Sequence, residues 1–197
     1  MAFDRIAVVG AGAWGTALAN AIARAGRAVL LATRDRAGAD MLVKARESPR
    51  LPGVRLHEHV GIAPVGADVG RYDVILLAVP SQHLRAAAGA IAPALRAGTP
   101  VIACAKGIER GTHRFMTEVI AESAPAAQPA ILSGPSFAAD VARGRRAFGN
   151  HLGHEPVRAA LDALGEAITG VPARSAGAIA PAAARSCCEG TASRMTS

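Results

Sequence analysis

The chain has 197 residues, of which 51% are hydrophobic, 19% are charged and only 3% are aromatic. This length supports one full hydrophobic core and excludes two large domains, since single domains span about 100 to 200 residues. The longest strand-like apolar run, Val74 to Pro80, is far shorter than the roughly 18 residues that a membrane-spanning helix needs. We therefore expect a globular protein with no membrane span.

The net charge of +7 raises the question of nucleic-acid binding. The charge comes almost entirely from arginines that are spread along the chain without a basic run, so a small anionic ligand is the simpler interpretation. Cys104, Cys187 and Cys188 lack CxxC spacing and predict neither a disulfide framework nor a zinc site. They fit a reducing compartment. Because Asp4, Trp14 and several glycines interrupt the N-terminal apolar run, we expect cytoplasmic sequence rather than a signal peptide.

The predicted elements alternate between strands and helices up to about residue 144. Apolar runs predict strands at residues 5–9, 29–33, 72–79, 100–104 and 130–132. Helix-compatible segments follow at residues 14–24, 35–46, 82–95, 114–123 and 136–143. Residues 49–53 predict a loop, because two prolines and a glycine deny this segment regular hydrogen bonding. The alternation predicts an α/β fold with a doubly wound, mostly parallel sheet.

From residue 145 the character of the sequence changes. Val157, Leu161, Leu164 and Ile168 keep helical spacing and predict one amphipathic helix. Beyond Gly170 the chain is rich in small residues, is broken by prolines and has no periodic apolar face, which predicts a disordered tail. The sequence therefore divides into a sheet-forming domain, residues 1–144, and a tail, residues 145–197.

A glycine-rich turn joins the first predicted strand to the first predicted helix. Gly10, Gly12 and Gly15 form the pattern GxGxxG, in which the first glycine permits a tight turn and the second admits a pyrophosphate. The third lets the helix pack closely on the strand, and the helix N-terminus supplies N–H donors. A glycine turn with a purely structural role is the alternative. Because both flanking elements are present, the motif predicts a dinucleotide-binding domain at residues 1–144.

Two charged residues follow the second predicted strand, where such folds hold the ribose. Arg34 is suited to the 2′-phosphate of NADP, whereas Asp35 is suited to the ribose hydroxyls of NAD. A solvated charge cluster without a ligand is the third interpretation. The cofactor is accordingly NADP or NAD.

Other polar residues follow the later predicted strands, at the edge where ligands gather in open α/β sheets. Lys106 ends the segment ACAKG and is one of only two lysines, although a surface lysine is most often simply solvated. Ser136 is an apt helix N-cap whose neighbouring N–H groups can bind an anion, or only a capped helix. His57, His59, His151 and His154 lie in loop-like segments without further ligands, so no metal site is expected.

Five segments together resemble the N-terminal half of bacterial NAD(P)-dependent glycerol-3-phosphate dehydrogenases. They are GAGAWGTALA from Gly10, LPGV from Leu51, AVPSQHLR from Ala78, AKGIE from Ala105 and LSGPSFAADVARG from Leu132. The resemblance implies a Rossmann domain and the reduction of dihydroxyacetone phosphate to sn-glycerol 3-phosphate for phospholipid synthesis. It also leaves open a homo-oligomer.

The resemblance also implies roles for individual residues. Ala13, Trp14, Arg34 and Ala138 would contact the cofactor, Gly134 and Ser136 the substrate, and Lys106 both. A lysine beside the ketone favours the oxyanion charge that develops while hydride arrives. Arg50 stands where the family has an aromatic residue before LPG.

The resemblance ends near Gly144. The family continues with a helical substrate domain that carries a proton-transfer lysine in a Gly-x-x-Lys-Asn setting and a later Arg-Asn phosphate site. Residues 145–197 contain no lysine, and their only asparagine is Asn150. We therefore expect a frameshifted or truncated reading frame and a weakly active or inactive enzyme. A noncatalytic dinucleotide-binding module is the competing hypothesis.

Overall fold

The structure is a computed structural model, and it describes residues 3–133, 138–142 and 150–152. The strands are β1 (Arg5–Val9), β2 (Ala28–Thr33), β3 (Val60–Pro64), β4 (Val74–Leu77), β5 (Thr99–Ala103), β6 (Ala127–Ser133) and β7 (Asn150–Leu152). The α-helices are α1 (Ala13–Arg24), α2 (Arg36–Ala45), α3 (Ser81–Ile91), α4 (Met116–Ser123) and α5 (Ala138–Ala142). Two 3₁₀ turns, Ala67–Arg71 and Ala92–Ala94, precede β4 and follow α3.

All seven strands form one sheet in the order β3-β2-β1-β4-β5-β6-β7. The pairs among β1 to β6 are parallel, and β7 pairs antiparallel with β6. This confirms the predicted doubly wound, mostly parallel α/β fold. The strand order reverses between β1 and β4, and ligands of such sheets bind at the carboxyl ends of the strands at this switch point.

The core lies on both faces of the sheet because neighbouring residues of a strand point to opposite sides. In β1, Ile6 and Val8 join the cluster that contains Leu18 and Ile22 of α1. Ala7 and Val9 join the opposite cluster, which contains residues of α3 and α4. All four residues of β4 and all five of β5 are buried, as a strand covered on both faces requires.

The observed elements differ from the predicted ones mainly at the ends. β1 has the predicted bounds, whereas β4 is shorter than predicted, β6 is longer and α3 ends in a 3₁₀ turn that contains Pro93. The edge strand β3 was not predicted. It is short, only its first residue, Val60, is buried, and its position follows from pairing with β2.

β7 lies beyond the boundary expected at residue 144. Its three residues pair with the end of β6, and they place His151 in a strand instead of the expected loop. A three-residue run of Asn, His and Leu has no strand signal of its own, so only the pairing defines it. The helix predicted around residues 157–168 and the predicted disordered tail lie outside the described residues.

Candidate functional site

The parallel strands bring several of the predicted site residues to one edge of the sheet. Gly10 follows β1, Arg34 follows β2, Ala78 follows β4 and Lys106 lies three residues after β5. Because β1, β2, β4 and β5 are parallel neighbours, these residues all lie beyond the carboxyl ends of their strands.

Two of the three motif glycines are required by the packing of the protein itself. Gly10 has φ of +111°, and a Cβ there would lie 2.6 Å from the carbonyl oxygen of Ala78 beyond β4. A Cβ on Gly15 would overlap the carbonyl oxygen of Gly10. The turn and the first turn of α1 therefore close onto the switch point only when both residues are glycine.

Gly12 is different, because no contact among the described residues requires a glycine there. Its φ of −77° is open to any residue, and a Cβ there would meet no atom within 4 Å. Gly12 is also the N-cap of α1 and gives it no side-chain cap, and the first turn holds no acidic residue. The N–H groups of this helix end lack a side-chain cap, and together with the favourable dipole they fit the pyrophosphate of a dinucleotide.

The loop between α2 and β3 lies against the glycine turn. The buried Ser48 donates from Oγ to the carbonyl of Ala11 at 3.3 Å and accepts from the backbone N–H of Arg50 at 3.3 Å. Leu51 is buried beside Ala17 in the outer face of α1. Ser48 carried no signal in the sequence, because its role depends on a contact 37 residues away.

The two charged residues after β2 differ in their contacts within the protein. Oδ1 of Asp35 accepts a hydrogen bond from the N–H of Gly38 at 2.8 Å, and the hydroxyl of Thr33 donates to the carbonyl of Asp35 at 2.7 Å. Asp35 is thus the N-cap of α2. Arg34 is exposed, and its guanidinium has no hydrogen-bond or ion-pair partner among the residues described.

Lys106 is exposed directly after a buried strand end. The N–H of Cys104 donates to the carbonyl of Leu77 at 3.0 Å, which extends the β4–β5 pairing, and Cys104 and Ala105 are buried. Burial raises the pKa of the Cys104 thiol to about 12, so this cysteine is not a nucleophile near neutral pH. Gly107, with φ of +95°, then turns the chain away from the strand.

α5 packs along α1, from Ala13 and Trp14 to Arg24. Ala13, Trp14 and Ala138 contact the small cluster that also contains Val141 and Ala142, so these predicted cofactor-binding residues lie around one patch. These packing contacts do not by themselves assign a cofactor contact to any of the three residues. Gly134 and Ser136, the predicted substrate-binding residues, lie outside the described residues.

The described part of the chain offers no group of three His, Cys, Asp or Glu side chains that could hold a metal ion. None of the helices described is long and apolar enough to span a membrane.

The comparisons with known proteins agree with the fold. A family model described as NAD-dependent glycerol-3-phosphate dehydrogenase N-terminus matches residues 5–148. A glycerol-3-phosphate dehydrogenase [NAD(P)+] of Bradyrhizobium sp. (strain BTAi1) is 61% identical over 142 residues, which are 72% of this chain and 44% of the relative. The corresponding protein of Azorhizobium caulinodans is 58% identical over 146 residues. The chain therefore spans less than half the length of these relatives.

Solved structures show the same arrangement. The crystal structure of glycerol-3-phosphate dehydrogenase from Coxiella burnetii has a TM-score of 0.66 at 30% identity, covering 72% of this chain and 44% of that one. The Plasmodium falciparum glycerol-3-phosphate dehydrogenase has a TM-score of 0.71 at 20% identity, covering 81% and 49%, and shows the fold alone. From the glycine turn at the switch point and from the match over residues 5–148, the chain belongs to the NAD-dependent glycerol-3-phosphate dehydrogenase family, in its N-terminal portion.

Proposed function

We propose that the chain binds NADP(H) or NAD(H) at the carboxyl edge of the sheet, with the pyrophosphate at the N-terminus of α1. The observation that carries this proposal is the contrast among the three motif glycines. Gly10 and Gly15 are explained by contacts within the protein, whereas a Cβ on Gly12 would meet no atom of the described residues within 4 Å. A ligand that approaches the backbone closely would explain why residue 12 is also a glycine.

The remaining cofactor contacts follow from position. Ala13 and Trp14 lie in the first turn of α1, beside the pyrophosphate. Arg34 is exposed after β2 and suits a 2′-phosphate, while Asp35 is engaged as a helix cap. Ala138 lies on the same patch as Ala13 and completes the proposed cofactor surface.

The proposed reaction is the reduction of dihydroxyacetone phosphate to sn-glycerol 3-phosphate, as the names of the relatives suggest. The nicotinamide cofactor supplies the hydride when bound. Lys106 reaches the same edge from β5, and its ammonium group would stabilise negative charge on the ketone oxygen. Gly134 and Ser136 would hold the substrate. We place this activity in the cytoplasm.

One observation favours the competing function, a dinucleotide-binding module with little or no catalysis. The sequence contains only Lys44 and Lys106, and no lysine follows Lys106. The reaction needs a proton donor as well as a group that polarises the carbonyl, and Lys106 can occupy only one of these positions. We therefore propose that binding exceeds catalysis in this chain.

Trp14 supplies the test, because it is the only tryptophan and lies in the first turn of α1. Titration with NADPH or NADH should quench its emission and should transfer energy to the bound nicotinamide. Calorimetry on the same samples should give the dissociation constant. Unchanged Trp14 emission together with no heat of binding for either cofactor would reject the proposed site.

A further inference from the structure

Lys106 begins a short irregular hairpin, Lys106–Phe115, which we call the Lys106 hairpin. The N–H of Glu109 donates to the carbonyl of Arg114 at 3.0 Å, and the N–H of His113 donates to the carbonyl of Glu109 at 3.0 Å. Ile108 and Phe115 form an antiparallel bridge. Their side chains are 41% and 67% exposed, so burial of these side chains does not anchor the hairpin.

The hairpin is held instead by a side-chain amide from α3. Nε2 of Gln82 donates to the carbonyl of Ile108 at 3.1 Å, and its Oε1 accepts from the N–H of Arg110 at 3.0 Å. One amide thus pairs with a backbone acceptor and a backbone donor, as a neighbouring strand does. Both bonds would be lost together on removal of a single group.

A second contact lies one helical turn further along α3. Nε and Nη2 of Arg85 donate to the two carboxylate oxygens of Glu109 at 2.8 Å each, and Nη2 also donates to Glu122 of α4 at 2.9 Å. The hydroxyl of Thr112 donates to Glu109 at 2.6 Å. The Glu109 side chain is only 13% exposed, so this bidentate pair is more than a solvated surface contact.

α3, which carries both side chains, is anchored in the hydrophobic core. Leu84, Ala88 and Ile91 on its inner face are fully buried, and its N-terminus follows β4 directly at the switch point. Gln82 and Arg85 are three positions apart and therefore lie on one face. Lys106 is thus bracketed by buried Ala105 on one side and by the held carbonyl of Ile108 on the other.

We propose that Gln82 and Arg85 are positioning residues that fix the Lys106 hairpin and thereby set where the Lys106 ammonium group lies at the carboxyl edge. The inference rests on the proposed function, in which Lys106 contacts cofactor and substrate. Gln82 and Arg85 need not touch either ligand. They restrict the backbone on both sides of Lys106. The Lys106 side chain can therefore occupy only a small volume at the carboxyl edge.

The two lysines make a direct measurement feasible. The full chain is treated briefly with acetic anhydride, with and without saturating NADPH, and acetylation of Lys106 and Lys44 is quantified by mass spectrometry. Lys44 lies in α2 and serves as the internal reference. Hydrogen–deuterium exchange of residues 107–115 is measured on the same proteins without ligand.

The variants separate positioning from general damage. Gln82→Met keeps the length of the side chain and removes both hydrogen bonds, whereas Gln82→Glu keeps the acceptor for Arg110. Arg85→Gln removes the charge that pairs with Glu109. His83→Met is the matched control, because His83 is the exposed neighbour of Gln82 in α3.

The expected results concern the hairpin first and the ligand second. Exchange of residues 107–115 should rise about tenfold in Gln82→Met and in Arg85→Gln, less in Gln82→Glu, and not in His83→Met. NADPH should shield Lys106 relative to Lys44 in the unaltered protein, and this shielding should weaken at least about tenfold in Gln82→Met. If Gln82 only stabilised the fold, Gln82→Met would change the acetylation of Lys106 and Lys44 to the same extent.

Unchanged exchange in Gln82→Met would overturn the inference, as would increased exchange with intact shielding of Lys106. A different result bears on the proposed function alone. If NADPH binds the unaltered protein but does not shield Lys106, the proposed Lys106 contact is wrong, and the exchange data by themselves then decide whether the two residues hold the hairpin.

Discussion

The carboxylate of Asp35 accepts the N–H of Gly38 at 2.8 Å and so caps α2, one residue after the exposed Arg34. From the sequence, either Arg34 or Asp35 could bind the ribose end of the cofactor. Turning Oδ1 of Asp35 to a ribose would break the hydrogen bond from Gly38 and leave a donor at the end of α2 unpaired. The cap therefore favours Arg34, and with it NADP.

Arg34→Ala should lower the preference for NADPH over NADH. A charge-assisted hydrogen bond to the 2′-phosphate contributes about 1.5 to 3 kcal/mol, which is about 10-fold to 150-fold in the ratio of dissociation constants. Calorimetric titration with both cofactors measures this ratio. Arg36→Ala is the control, because Arg36 is an equally exposed arginine in the first turn of α2. An unchanged ratio in Arg34→Ala would remove Arg34 from the cofactor site.

Asp35→Ala should destabilise the protein without much effect on cofactor binding. Loss of an N-cap costs about 1 kcal/mol of the free energy of unfolding, and Asp35→Ser, which can also cap, should recover most of it. Denaturant unfolding gives both values. A large loss of NADH affinity in Asp35→Ser, with stability retained, would instead show that Asp35 binds the ribose.

Gly12→Val should abolish dinucleotide binding and leave the fold intact. A Cβ at residue 12 meets no atom of the described residues within 4 Å, and we assign the space beyond it to the pyrophosphate. Gly15→Ala should instead unfold or distort the turn, because its Cβ would overlap the carbonyl oxygen of Gly10. Circular dichroism and calorimetry on both variants, with Gly89→Ala as an open-site control, distinguish the two effects. Full affinity in Gly12→Val would rule out this mode of binding.

Glu109 should make stability depend on pH in the acid range. The hydrogen bond from Arg85 and, next, that from Thr112 lower the pKa of Glu109 from 4.5 to about 2. Because the pKa is lower in the folded state, this contribution is present above pH 4.5 and is lost as the pH falls towards 2. Arg114 is a further cation near this carboxylate.

The comparison with Glu109→Gln isolates that contribution. The difference in the free energy of unfolding between the two proteins should be largest at neutral pH and should shrink at a pH of about 3. Denaturant unfolding at both pH values measures it. A difference that stays constant would mean that the Arg85 contact does not favour the charged form of Glu109.

The purified chain should reduce dihydroxyacetone phosphate slowly even where NADPH binds. A positioned general acid contributes about 10²-fold to 10⁴-fold in rate, and we assign Lys106, one of only two lysines in the sequence, to the ketone oxygen instead. The assay follows NADPH oxidation by the loss of nicotinamide absorbance at about 340 nm. The preparation must be free of host enzyme. Lys106→Ala serves as the blank. Turnover comparable to that of a full-length relative would require another proton donor in the chain.

Much of the fold could be predicted because the strands carry their own signals. β1, β4 and β5 are buried on both faces, and their apolar runs are readable without knowledge of partners. β3 and β7 could not be predicted in the same way. Each lies at an edge of the sheet and is defined by hydrogen bonds to β2 or β6 instead of by an apolar pattern.

The candidate site divides similarly. Gly10, Gly12 and Gly15 are recognisable in the sequence as a motif. Only the structure shows that the reason for a glycine differs among the three positions. Asp35 is a candidate ligand by its type and position, and only the structure shows that its Oδ1 caps α2 through Gly38, three residues away. The role of Gln82 could not be predicted from the motif AVPSQHLR, because its partners lie more than 25 residues further along the chain.

Arg24 connects the first helix to nearly the last described element. Its guanidinium donates to the carbonyls of Val141 and Ala142 at 2.8 Å each, across 117 and 118 residues of chain. During synthesis, α1 therefore emerges long before α5 exists, and until then only the segment around Leu51 is available to cover its outer face around Ala17. Closing so long a loop is a slow step, so the exposed face of α1 is the place where a nascent chain most needs protection from misassociation.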